Sequence, residues 1–182
     1  MIRLYVLFFL SLSAGAGFCA SAVERGQVTF KNYCAGCHTL KYLKYDPLQA
    51  ELSKNALTAE DALRWFGRSP PDLSLVAGVR GQAWLFTYLT SFYVDEHQRF
   101  GDNNLLLPQC VMPDPFVEVK KEISHEDFQR LLLDLVSFLE SVSDPNAPLR
   151  HRLGPYVLCY VMLFWFVIYV LKKHYTRKSV KS

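Results

Sequence analysis

Acidic residues are absent from both ends of the 182-residue chain: all 17 of them lie between Glu24 and Asp144. Only 12 of the 20 basic residues fall in the segment 23–149, so this segment has a net charge near −5, which the whole-chain value of +3 conceals. A negative domain favours a basic protein partner and argues against nucleic-acid binding. A surface that is charged only for solubility explains the same count equally well.

Cysteine is also scarce, and no second Cys/His pair accompanies the run Cys34-Ala35-Gly36-Cys37-His38. A structural zinc site needs such a second pair, and a thioredoxin-like redox couple needs a βαβ context that this sequence lacks. The spacing is instead the attachment signature of a c-type haem. One turn of helix puts both thiols on one face, where each forms a thioether with a haem vinyl group, and His38 becomes the proximal iron ligand. The other ring nitrogen of His38 needs a carbonyl or carboxylate partner, which the sequence does not identify.

The chain has only three methionines, and this limits the choice of a sixth iron ligand. Met1 opens the chain and Met162 lies in a long apolar run, which leaves Met112 in the domain. Met112 precedes Pro113 in a loop too rich in proline to be a helix. A thioether ligand raises the reduction potential and closes the iron to oxygen chemistry. His97 and His125 stay open as alternatives, although each is more typical of a surface residue.

An apolar run near the N-terminus predicts a secretory signal peptide over residues 1–22. Arg3 gives a positive start, Leu4 to Leu12 form an apolar core, and Ala20-Ser21-Ala22 resembles an A-x-A cleavage site. An uncleaved N-terminal anchor is the alternative. Export agrees with the haem motif, because covalent haem attachment and an oxidising compartment go together for such a chain.

A second apolar run, Leu153 to Leu171, has 19 residues without a charge. A helix of that length spans roughly 28 Å, close to the thickness of the bilayer core. Two basic residues precede the run and five follow it, which predicts a transmembrane helix over 150–172 and a basic cytoplasmic tail over 173–182. The segment 23–149 is then a haem domain in the periplasm of a bacterial inner-membrane protein.

No stretch alternates convincingly as a β-strand, so the predicted fold is all-α: a cytochrome c-like haem domain followed by a single C-terminal transmembrane helix. The clearest helix has Ser124 as N-cap and apolar residues at helical spacing up to Val142. It stops before Pro145 and Pro148, which predict a stiff link to the membrane helix. Three further helices are predicted over 23–33, 57–66 and the aromatic stretch 81–93.

Several motifs together resemble the cytochrome c1 family, the haem subunits of ubiquinol–cytochrome c reductase (the bc1 complex), in a short bacterial form. The resemblance covers nearly all of the chain after residue 22. The matching residues are Arg25 to Val28, Asn32 to Tyr42, Trp65-Phe66-Gly67, Pro70 to Leu75, Arg80-Gly81, Trp84 to Leu89, Gly101, Asn103-Asn104, Pro108, Met112-Pro113 and the C-terminal anchor after Leu149-Arg150.

The resemblance implies one covalent haem c with His38 and Met112 as axial ligands. It also implies that Arg80 pairs with a haem propionate and that Pro71 and Trp84 line the haem pocket. The implied partners are cytochrome b and a Rieske iron–sulfur subunit in a dimeric membrane complex, with a soluble or tethered cytochrome c as electron acceptor. Cys110 departs from the expected pattern, because it places a thiol two residues before the proposed ligand.

Two other function classes stay open from the sequence. A stand-alone membrane-anchored cytochrome, carrying electrons to a terminal oxidase, needs the same haem and the same anchor. A haem enzyme, such as a peroxidase or a nitrite-reducing subunit, needs an open or displaceable sixth position. The loop with Met112 and Pro113 argues against the enzyme.

Overall fold

A computed structural model describes residues 16–43, 52–54 and 57–179 of the chain. The predicted signal core Leu4 to Leu12 lies outside the described residues, as do the last three residues of the tail. The described chain is mostly helical, which confirms the predicted fold class. Its elements are α1 Ala16–Tyr33, α2 Ala59–Phe66, α3 Val76–Arg80, α4 Gln82–Thr90, β1 Phe92–Val94, β2 Asp102–Asn104, α5 Val119–Glu122, α6 His125–Ser143 and α7 Ala147–Ser179.

Helix α6 is the centre of the haem domain, and its sequence explains its bounds. The hydroxyl of Ser124 accepts a hydrogen bond from the amide of Asp127 at 3.1 Å, which caps the first turn. The helix then runs for 19 residues. Its apolar side chains recur at helical spacing, and those that face the core are buried: Phe128, Leu132, Leu135, Val136, Phe138, Leu139 and Val142. Leu131, at the edge of this face, is partly buried, and Leu133 is exposed. The prediction of a helix from Ser124 to Val142 is confirmed.

Helix α1 packs against α6 at a point where Gly26 is buried. A Cβ atom on Gly26 would lie 2.0 Å from the carbonyl oxygen of Asp134, so the two backbones touch there. Beside this contact Arg25 donates to the Asp134 carboxylate, with an Nε–Oδ2 distance of 2.6 Å. Deeper in the interface the rings of Phe30 and Phe138 lie 5.7 Å apart. Helix α1 is therefore fixed in place just before it leads into the cysteine motif.

The stretch 81–93 differs from its prediction as one helix. Helix α4 ends at Thr90, and Phe92 and Tyr93 instead enter the strand β1, which pairs antiparallel with β2. Aromatic and β-branched residues favour strands, and here Ser91 accepts a hydrogen bond from the amide of Leu105 at 3.1 Å, which extends the pairing. The all-α prediction therefore missed this short hairpin, which turns the chain towards the Met112 loop.

The C-terminal helix α7 is also longer than the sequence predicts. It begins at Ala147, so Pro148 lies in its first turn, where proline is tolerated, and Pro155 lies inside the helix. The prediction that Pro148 belongs to a stiff link between two helices is wrong. The chain divides into two compact units between Asp144 and Pro145. Among the described residues, Ala147–Thr176 is the one stretch long and apolar enough to cross a membrane.

Candidate functional site

The cysteine motif continues directly from the end of α1 as one further helical turn. The amide of Cys34 donates to the carbonyl of Phe30 at 2.8 Å, and the amide of His38 donates to the carbonyl of Cys34 at 2.9 Å. Burial raises the pKa of the Cys34 thiol to about 12, and burial also raises the pKa of Cys37. Reactive redox thiols have lowered pKa values, so these two thiols are unlike a thioredoxin-type couple.

The imidazole of His38 is buried and held in one orientation. Its Nδ1–H donates to the carbonyl oxygen of Pro71 at 2.8 Å. Burial lowers the pKa of His38, and this outweighs the opposite effects of the Pro71 carbonyl and of Asp72. The ring is therefore neutral near neutral pH, with Nε2 left as the nitrogen for a metal. The structure thus gives His38 the carbonyl partner that the sequence could not identify.

The next residue, Asp72, fixes the segment that carries the Pro71 carbonyl through several hydrogen bonds. The carboxylate of Asp72 accepts from the Thr39 hydroxyl at 2.8 Å and from the amide of Lys41 at 2.9 Å. It also accepts from the amide of Ser74 at 3.0 Å. Although burial raises its pKa, these hydrogen bonds outweigh burial and lower the pKa of Asp72 below its ordinary value. No role for Asp72 was predicted from the sequence. Its hydrogen bonds hold the segment after Pro71 against the residues that follow His38.

The loop that carries Met112 is held by two asparagines of β2. The Asn104 side chain is fully buried, donates to the carbonyl of Tyr88 at 2.7 Å and accepts from the amide of Leu106 at 2.9 Å. The side-chain oxygen of Asn103 accepts from the amide of Gln109 at 3.0 Å. Beyond Met112, the amide of Asp114 donates to Asp102. The loop is thus fixed on both sides of the methionine.

A charged pair also fixes the far end of this loop. The carboxylate of Asp114 lies 2.5 Å from the ammonium of Lys120, and its side chain is 7% exposed. The same carboxylate accepts from the amide of Phe116 at 2.9 Å. Buried charge needs such a partner and hydrogen bonds. The pair therefore joins the Met112 loop to α5.

Two of the other predicted pocket residues, Arg80 and Trp84, are connected to Met112 through Tyr88. The guanidinium of Arg80 lies 5.1 Å from the centre of the Trp84 ring, and its side chain is exposed. Trp84 stacks on Tyr88 with ring centres 5.1 Å apart, and the Tyr88 hydroxyl lies 3.5 Å from the Met112 sulfur. Trp84 and Met112 pack against the buried cluster that includes Cys34. The Tyr88 contact was not predicted from the sequence.

The two histidine alternatives lie on the surface. The side chain of His97 is 95% exposed beside Asp95, and His125 is exposed at the start of α6 and contacts Gln129. Within the described ranges, no group of three or more His, Cys, Asp and Glu side chains could hold a metal ion. The donors that remain suit a haem c: two thiols one helical turn apart, a neutral oriented imidazole and a half-buried thioether.

Together, a helical domain with this donor set and one helix long and apolar enough to span a membrane fits a membrane-anchored c-type cytochrome. Residues 55–179 match the Cytochrome C1 family. A cytochrome c1 from Allochromatium vinosum is 31% identical, over 85% of this chain and 83% of its own length. An ammonia monooxygenase gamma subunit from Nitrosomonas europaea is also 31% identical, over 86% of this chain and 82% of its own length. The chain belongs to the cytochrome c1 family, which carries covalently bound haem c and transfers electrons.

Proposed function

We propose that this protein is the electron-transfer subunit of a respiratory cytochrome bc1 complex. In this proposal it accepts single electrons from the Rieske iron–sulfur protein and passes them to a soluble or tethered cytochrome c. The observation that carries the proposal is the oriented, neutral imidazole of His38 one residue after Cys37, in a chain of the cytochrome c1 family. Cytochrome b and the Rieske subunit are the proposed membrane partners, in a dimeric complex.

Each predicted site residue has a distinct part in this proposal. Cys34 and Cys37 attach one haem c, and His38 and Met112 bind its iron. The bound haem supplies a one-electron ferric/ferrous couple. Arg80 is the proposed propionate partner, which its exposed guanidinium supports. Pro71 orients His38 through its carbonyl, and Trp84 packs on the Met112 side.

The proposed arrangement in the cell follows from the distribution of charge. Residues 1–22 are a cleaved signal peptide, 23–149 form the periplasmic haem domain, 150–172 cross the inner membrane and 173–182 are a cytoplasmic tail. Basic residues flank the apolar run more heavily on its C-terminal side, which supports this orientation. The acidic character of 23–149 supports docking of a basic cytochrome c.

Substitution of the proposed ligand Met112 distinguishes an electron carrier from a haem enzyme. We expect Met112→Leu to keep the haem attached, to lower the reduction potential and to allow carbon monoxide to bind the ferrous iron, because leucine offers no donor atom. Met162→Leu, in the apolar run, is the matched control and leaves both properties unchanged. An unaltered potential in Met112→Leu contradicts the ligand assignment. Carbon monoxide binding by the unsubstituted protein supports the enzyme instead.

Purification of the native complex tests the proposed partners. The protein is extracted gently from its membrane, and difference spectra are recorded while a quinol reduces the preparation. We expect b-type haem bands beside the c-type band, and a quinone-site inhibitor should block reduction of the c haem. A c haem that purifies alone and is not reduced by quinol contradicts the bc1 assignment and supports the stand-alone shuttle. Co-purification with an ammonia monooxygenase in place of cytochrome b also contradicts it, and agrees with the name of the Nitrosomonas relative.

A further inference from the structure

A buried hydroxyl lies between two sulfur atoms beside the proposed iron ligand. The Tyr88 hydroxyl is 3.0 Å from the sulfur of Cys110 and 3.5 Å from the sulfur of Met112. Tyr88 is 9% exposed and Cys110 is 4% exposed, so water has little access to either group. In the part of the chain that the structure describes, Tyr88 is the one polar partner found for the Cys110 thiol.

The number of protons on the three groups indicates which group donates in each hydrogen bond. A phenol has one proton to donate and an oxygen that accepts, a thiol has one weakly donated proton, and a thioether only accepts. If the phenol donates to Met112, its oxygen stays available for the proton of the Cys110 thiol, and all three groups are satisfied. If the phenol donates to Cys110, the thioether of Met112 loses its donor and the thiol proton has no acceptor. Buried polar groups are nearly always paired, which favours the first arrangement.

The surroundings fix the positions of the Tyr88 hydroxyl and the Cys110 thiol. The Tyr88 ring stacks on Trp84 and meets Phe92 edge-on at 5.2 Å, so its hydroxyl has little freedom to move. Cys110 directly follows Gln109, whose backbone has a positive φ of 63° and whose amide is bound by Asn103. Asn103 thus holds Gln109 in a strained backbone conformation, and this brings the Cys110 thiol within hydrogen-bond distance of the Tyr88 hydroxyl.

We propose that Cys110 is a positioning residue whose thiol donates to the Tyr88 hydroxyl and thereby directs the hydroxyl proton onto the Met112 sulfur. This inference rests on the proposed function in one respect, the role of Met112 as iron ligand. A hydrogen bond to the ligand sulfur withdraws electron density from it, and the more highly charged ferric iron loses more stabilisation than the ferrous iron. Tyr88 and Cys110 together therefore raise the reduction potential.

The test is a redox titration of the full chain with its haem, in detergent, for four single variants and one double variant. Tyr88→Phe keeps both ring contacts and removes only the hydroxyl. We expect the ferrous-to-ferric ratio at a fixed ambient potential to fall roughly two- to tenfold, the effect of losing one hydrogen bond. Cys110→Ala should lower the ratio by a smaller factor, and Cys110→Ser, which restores a donor, should recover it. Tyr93→Phe makes the same chemical change on exposed β1 and should leave the ratio unaltered.

The sign of the Cys110→Ala effect decides between the two proton arrangements. A higher ferrous-to-ferric ratio means that the thiol accepts the hydroxyl proton and competes with Met112, and this overturns the proposal. In the Tyr88→Phe background Cys110→Ala should have no further effect, because the thiol acts through the hydroxyl. An equal decrease in both backgrounds also overturns the proposal. Thermal unfolding of each variant checks that a changed ratio does not come from a disrupted domain.

The far-red charge-transfer band between sulfur and ferric iron separates this inference from the proposed function. If the unsubstituted protein lacks the band, Met112 is not the ligand and the proposed site fails. If the band is present but Tyr88→Phe leaves both the band and the ferrous-to-ferric ratio unchanged, the proposed site stands and the positioning role of Cys110 fails.

Discussion

Substitution of Gly26 tests whether the haem domain depends on direct backbone contact between α1 and α6. In Gly26→Ala the new methyl group would lie 2.0 Å from the oxygen and 2.6 Å from the carbon of the Asp134 carbonyl, and 2.7 Å from the Cβ of Phe138. None of these atoms moves by a side-chain rotation. An ordinary contact of 3.4 Å therefore requires the helices to separate by about 1.4 Å.

The expected cost follows from that separation. Overpacking of a core typically costs about 1–3 kcal/mol and sometimes more. A gap of 0.5–1 Å already forfeits roughly a quarter to a half of the dispersion energy of each contact it opens, and here it opens the whole α1–α6 interface. We expect Gly26→Ala to lower the free energy of unfolding by about 3–5 kcal/mol and the unfolding temperature by roughly 10–20 °C.

A matched control separates packing from helix propensity. Gly78 lies within α3, and a Cβ there would meet the Cβ of Ser143 at an ordinary 3.6 Å. Gly78→Ala should be neutral or stabilising by up to about 1 kcal/mol, since alanine favours a helix over glycine. Thermal unfolding of the full chain in detergent, followed by haem absorption, compares the two variants. Gly26→Ala unfolding within a few degrees of Gly78→Ala would refute the close approach of the helices.

Three further changes test other parts of the structure. Asn104→Leu leaves the Tyr88 carbonyl and the Leu106 amide without their side-chain partner. We expect it to lower the free energy of unfolding by roughly 2–4 kcal/mol and to weaken the sulfur–iron band. An intact band together with unaltered unfolding would contradict the role of Asn104. The pKa of Asp72 is lowered in the folded protein, so its stabilisation is complete above its unfolded pKa and is lost as the pH falls through the lower folded value. The advantage of the unsubstituted protein over Asp72→Asn in urea unfolding should therefore shrink below about pH 4, and a constant difference down to about pH 2 contradicts this reasoning. A membrane-impermeant thiol reagent should label Glu96→Cys, on the exposed hairpin, from the periplasmic side. It should label Ser182→Cys only after the inner membrane is opened. The reverse pattern would contradict the proposed orientation in the membrane.

The sequence predicted best those features whose determinants are local. Ser124 caps α6, and the apolar side chains that follow repeat at helical spacing. Residues 124–143 alone therefore determine both the start and the buried face of this helix. The order of Cys34, Cys37 and His38 is likewise a feature of one helical turn. Neither the bounds of α6 nor the helical turn at Cys34 to His38 depends on a distant residue, which is why both follow the sequence pattern.

Features that depend on distant partners were not predictable in the same way. The run Phe92-Tyr93-Val94 continues an aromatic helix in the sequence, and it becomes a strand only because Asp102 to Asn104 return to pair with it. The partner of His38 is a backbone carbonyl 33 residues away, and a carbonyl has no sequence signature. Cys110 appeared only as a departure from the family pattern; its contact with Tyr88 depends on how the Met112 loop folds over α4.

Helix α6 relates the two proposed iron ligands to each other, although it carries neither. The hydroxyl of Ser143, at its C-terminal end, donates to the carbonyl of Ser74 at 2.9 Å, next to the segment that orients His38. Near its N-terminal end, Phe128 packs edge-on against Phe116 at 5.7 Å and lies 5.4 Å from the ammonium of Lys120, which binds the Met112 loop. Between these ends, Asp134 meets Gly26 of the helix that leads to Cys34. Because three attachments lie along one rigid helix, a change in the core face of α6 alters the placement of both ligand segments at once. Under the proposed function, coordination of the iron therefore depends on the packed domain as well as on the two proposed ligand residues.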